Sequence, residues 1–136
     1  MRRSIPILLV VFVLGTLVLA ACGGGGAAEE VSVPSDYAGK TNPLSADVAA
    51  AGKVVYDERC ASCHGATGAG DGAASAGLDP KPADLAEEVP NLGDDFLFWR
   101  ISEGGGMEPF NSAMPAWKGI LTEEQIWQVV SYLRTL

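Results

Sequence analysis

Five consecutive residues constrain this chain more than any others: Cys60-Ala61-Ser62-Cys63-His64. A C-x-x-C-H run of this kind is an attachment sequence for a c-type haem. The spacing has a physical reason. Two thiols three positions apart at the end of a helix reach the two vinyl groups on one edge of a porphyrin, and the histidine that follows is carried beneath the iron. Competing readings fit less well. A zinc site wants four N or S ligands, whereas the chain holds three cysteines and one histidine, and Cys22 is remote from the rest. A redox-active C-x-x-C wants a βαβ setting, and no strand pattern flanks this one. A disulfide between Cys60 and Cys63 leaves His64 without a role. One covalent haem is therefore the expected cofactor.

The first 21 residues read as an export signal, with Arg2 and Arg3 ahead of an apolar run from Ile5 to Ala20. A transmembrane helix is the competing reading, since the run is just short of a span. The end of the run, Leu19-Ala20-Ala21-Cys22, resembles the lipobox of bacterial lipoproteins. That resemblance implies cleavage before Cys22, lipidation of Cys22, and attachment to the outer, extracytoplasmic face of the cell membrane. In a cell with an outer membrane this is the periplasmic side. Residues 22–44 open with four glycines and continue through Pro34, Gly39 and Pro43 without periodicity, so they read as a flexible, lipid-anchored linker. Its r.m.s. reach would be about 25 Å. Residues 45–136 remain for one small folded domain.

Within that domain three helices are expected and no strand, an all-α class. The first covers residues 45–59, with Ser45 as N-cap and Gly52, Val55 and Tyr56 at helical spacing. The second covers residues 94–103, with Phe96, Trp99 and the stem of Arg100 inward and Gly104 as the stop. The third covers residues 122–135. There Thr122 and Gln125 form a capping box, and Ile126, Val129, Val130 and Leu133 form the apolar stripe. Residues 64–93 are rich in Gly, Ala, Pro and Asp and read as loops.

The whole chain carries a formal charge of −8, and loss of Arg2 and Arg3 with the signal leaves seven basic residues against 17 acidic, or −10. Such a surface excludes nucleic acid as a partner. It suits a partner with a positive docking face, met through encounters that salt weakens.

From about residue 47 onward the chain resembles a class I monohaem cytochrome c. Gly52, Tyr56, Cys60, Cys63 and His64 stand at that family's spacing, and Met114-Pro115-Ala116-Trp117 precedes the last helix as it does in a common bacterial subgroup. The resemblance implies a small fold in which the first and last helices pack crosswise, with Gly52 and Tyr56 against Val129 and Tyr132 and haem in the core. It implies thioether bonds at Cys60 and Cys63, His64 as one axial ligand, and a sixth ligand in the loop between the second and third helices. The chain without Met1 has two methionines, both in that loop. Met114, followed by a stiffening proline, is the expected ligand and Met107 the second choice. A backbone carbonyl near Pro80 or Pro82 would orient His64.

Both axial positions would then be filled, with no substrate on iron. The expected role is electron transfer in a membrane-associated respiratory chain, not catalysis. The chain would act as a tethered shuttle or as a subunit of a larger quinol-oxidising complex, with that complex and a terminal oxidase as partners. The rival is a haem sensor or haem enzyme with an open sixth site.

Overall fold

The computed structural model describes residues 31–136. The expected signal peptide and Cys22 lie outside the described residues. Residues 31–136 form one compact unit. Five α-helices lie in it: α1 (Ala49–Arg59), α2 (Ala61–His64), α3 (Leu85–Glu88), α4 (Asp94–Glu103) and α5 (Glu123–Leu133). Among the described residues there is no strand, only an isolated bridge between Lys118 and Leu121. None of their helices is long and apolar enough to cross a membrane.

The pairing of α1 with α5 organises the core. A Cβ on Gly52 would stand 1.8 Å from the Gln128 carbonyl oxygen, so α1 rests directly on the α5 backbone where a side chain is lacking. One turn later the Tyr56 and Tyr132 rings pack 5.0 Å apart, and Val129 and Val130 are fully enclosed beside them. This is the contact that the family resemblance implied. α4 closes the core with Leu97, Phe98, Trp99 and Ile101, and Phe98 stacks on Trp127 at 4.1 Å.

The helix ends follow local chemistry. Thr122 and Gln125 make the full capping box at α5. Gly104 stops α4 with a φ of 73°. Ser45 does not cap α1 as expected: its hydroxyl bonds the Asp47 carboxylate, and residues 46–48 form a 3-10 turn ahead of the α-helix. The stretch read as loops holds short helical turns. The Asp84 carboxylate accepts the Ala86 and Glu87 N–H groups and so starts α3, a single turn with too few residues to show periodicity.

The clearest departure concerns residues 31–44. The sequence suggests a tether through residue 44, yet this part is a strap laid over the helices. Tyr37 is buried against Phe98. The Asn42 side chain donates to the Trp127 carbonyl and to Ser131 Oγ on α5, and the Gly39 and Asn42 N–H groups bond Asp95 and Asp94 at the start of α4. Every one of these partners lies more than 50 positions away, which is why the strap has no local signature.

Candidate haem site

α2 is one turn of helix that begins where α1 ends. Cys60 is at once the C-cap of α1 and the N-cap of α2, and its carbonyl accepts the N–H groups of Cys63 and His64. Two further bonds fix the turn from behind. Gly70 N–H donates to the His64 carbonyl at 2.8 Å, and the Tyr56 hydroxyl donates to the Gly65 carbonyl at 2.7 Å.

In front of this turn lies a cavity of about 290 Å³. Cys60, Cys63 and His64 line one side of it, with Pro80, Pro82 and Ala83 alongside, and Leu97 and Ile101 come from α4. Met114, Phe110 and Trp117 line it from the loop between α4 and α5. The walls are chiefly apolar, as a porphyrin face requires.

The imidazole of His64 is mostly buried, and burial lowers its pKa from the ordinary histidine value against the opposing pull of the Ala83 backbone. A neutral imidazole is the form that ligates metal. Its Nδ1 is fully buried and makes no hydrogen bond. An axial histidine needs a partner for its second nitrogen to fix its orientation, and Pro80, Pro82 and Ala83 all line the same cavity as the ring. Burial also pushes the Cys60 thiol up to about 11.

The two methionines are placed differently. Met114 lines the cavity that His64 lines. Met107 is not among the lining residues, and its sulfur accepts from the Arg100 guanidinium at 3.6 Å. Trp117 lines the cavity, whereas Trp99 and Trp127 belong to the core. An apolar slot with two thiols, an imidazole and a thioether around it fits a covalently held haem.

The sequence does not single out Arg100 as more than an inward-facing stem. In the structure its guanidinium is half-buried at the cavity, 3.4 Å from the Phe110 ring centroid. It bonds the Gly104 carbonyl and Met107 but, among the described residues, no carboxylate. Burial lowers its pKa, yet a guanidinium stays charged. The available signal was a basic residue on an otherwise apolar helix face.

Comparison with known proteins agrees with this geometry. The chain is 32% identical over 112 residues to the cbb3-type cytochrome c oxidase subunit CcoP of an Azospirillum species, covering 79% of this chain and 36% of that subunit. It is 31% identical over 121 residues to the subunit FixP of Azorhizobium caulinodans, covering 80% and 36%. The chain thus spans about a third of the length of these curated relatives. A chain of the Kuenenia stuttgartiensis reducing HAO-like protein complex shares the fold, with a TM-score of 0.56 and 22% identity over 77% of this chain and 48% of that one. Residues 49–136, from the start of α1 to the last residue, match the family described as Cytochrome c, and the chain belongs to that family.

Proposed function

We propose that this chain carries single electrons through one haem, bound at Cys60 and Cys63 and ligated by His64 and Met114, and that lipid on Cys22 holds it at the outer face of the membrane. Membership of the cytochrome c family supplies the coarser statement, electron transfer through a c-type haem. The observation that carries the finer one is the shared cavity, which the C-x-x-C-H turn and Met114 both line. When bound, such a haem supplies a one-electron iron couple whose potential a methionine ligand raises.

The chain's own residues prepare the site. Backbone bonds hold the His64 turn, and the cavity walls are chiefly apolar. Arg100, which lines the cavity, would offer positive charge to a carboxylate of the bound haem. The relatives are named as oxidase subunits, which supports a respiratory redox complex as partner. A quinol-oxidising complex and a terminal oxidase are the two ends of that role. Copurification in mild detergent distinguishes a fixed subunit, recovered with a stoichiometric partner, from a tethered shuttle recovered alone.

The optical spectrum of the purified ferric holoprotein tests the ligand pair. The weak far-red band of methionine-to-iron coordination is expected. It should vanish in Met114→Ala and persist in Met107→Ala. Absence of the band from the unmutated protein, with ready carbon monoxide binding by the ferrous form, would mean an open sixth site and a sensor or enzyme.

A further inference from the structure

Residues 104–117 leave the end of α4 and return to it. Gly105 N–H donates to the Met114 carbonyl, Ser112 N–H to the Gly105 carbonyl, Trp117 N–H to the Ile101 and Ser102 carbonyls, and Lys118 N–H to the Ser102 carbonyl. A Cβ on Gly104 would meet the backbone of Met114, Pro115 and Ala116 at 2.6–2.7 Å, so the returning strand lies directly on the departing one. Both ends of this Ω-like loop are charged: Glu103 stands at the entrance and Lys118 at the exit, joined by an ion pair of 3.1 Å.

That pair is partly exposed and by itself worth little. It is completed by a third residue from a distant part of the chain. The Tyr37 hydroxyl donates to the Glu103 carboxylate and accepts from the Lys118 ammonium at 3.3 Å. The tyrosine is itself buried, with its ring against Phe98. Its backbone neighbours are tied down too, because Gly39 and Asn42 bond the first turn of α4. The hydroxyl is therefore held at the neck of the loop that carries Met114, on the face of α4 away from the haem cavity: Leu97 and Ile101 face the cavity, while Phe98 and Ser102 face the hollow that Tyr37 lines.

We propose that Tyr37 is a positioning residue for Met114, clamping the neck of its loop through Glu103 and Lys118 and so keeping the sixth position of the iron closed to exchange. The inference rests on Met114 being the sixth ligand. An outside ligand reaches the iron only when the loop has let Met114 go, so its apparent affinity reports the fraction of molecules with the loop open. Loosening the neck raises that fraction without touching the cavity.

The test is titration of the ferric holoprotein with imidazole at neutral pH, following the shift of the main haem absorption band. Tyr37→Phe keeps the ring in the core and removes the clamp. It is expected to tighten apparent imidazole binding about three- to tenfold, the net effect of losing one partly exposed hydrogen bond. Glu103→Gln should act in the same direction. Asn42→Ala removes a strap contact to α5 and leaves the neck intact, so its affinity should stay within about twofold of the unmutated protein. An unchanged affinity in Tyr37→Phe overturns the clamp. Equal shifts in Tyr37→Phe and Asn42→Ala also overturn it, since the strap would then act only through overall stability. Met114→Ala provides the reference for an open site. If the unmutated protein already binds imidazole as tightly as that variant, the ligand assignment fails and the clamp with it, a result visible without any strap variant.

Discussion

At Gly52 the absence of one carbon decides whether the two principal helices can meet. An added methyl would overlap the Gln128 carbonyl and press on Tyr132 Cβ at 3.0 Å. These are backbone and core atoms, which cannot step aside as a flexible side chain would. Gly52→Ala is therefore expected to destabilise the holoprotein by about 1–3 kcal/mol despite the better helix propensity of alanine, measured by denaturant unfolding. A neutral or stabilising result would mean that α1 and α5 are free to move apart. The C-x-x-C-H turn is legible from its own spacing, and Gly52, Tyr56 and Met114 through the family pattern they stand in. Arg100 and Tyr37 are not, since an arginine on a helix and a tyrosine between prolines have many ordinary roles.

At the level of elements, the ends of α4 and α5 are joined by one ion pair. Arg134 donates through Nε and a terminal nitrogen to Asp94, the first residue of α4. It also donates to the carbonyls of Val89 and Leu92 in the preceding turn. Burial alone would raise the Asp94 pKa. The Arg134 and Asn42 hydrogen bonds outweigh it and hold the carboxyl below its ordinary 3.8. A carboxylate with a depressed folded pKa contributes stability that is complete above the unfolded value and is lost as pH falls through the folded one. Asp94→Asn should thus be less stable than the unmutated protein by about 1 kcal/mol at neutral pH. The gap should hold down to about pH 5 and close below pH 3.8. A gap that is constant to lower pH would show that Asp94 acts by shape alone. The boundaries of α4 were readable to the residue, and α5 to within two, because a glycine stop and a capping box are local signals. The bond between Arg134 and Asp94 spans 40 positions and leaves no trace in spacing.

Across the whole molecule, charge sets how partners are met. With nine basic and 17 acidic residues in the full chain, the protein should react faster with a small cationic one-electron reductant than with an anionic one of similar potential. Stopped-flow rates in rising salt should converge as the screening length falls from about 10 Å at 0.1 M to about 3 Å at 1 M. Equal rates at low salt would place the electron exit on a neutral part of the surface. By itself the sequence pointed to a c-type haem, to Cys60, Cys63 and His64 as its expected attachments, and to the all-α class, while the family resemblance it carries implied the pairing of first and last helices. The haem and its expected attachments follow from residues a turn or less apart, and the class from helical stripes. Only the tertiary structure decided which methionine shares a cavity with His64, that a guanidinium stands at that cavity, and that residues 31–44 are a strap rather than a tether. Those facts are contacts between distant segments, made only after α1, α4 and α5 have come together, and no local pattern encodes them.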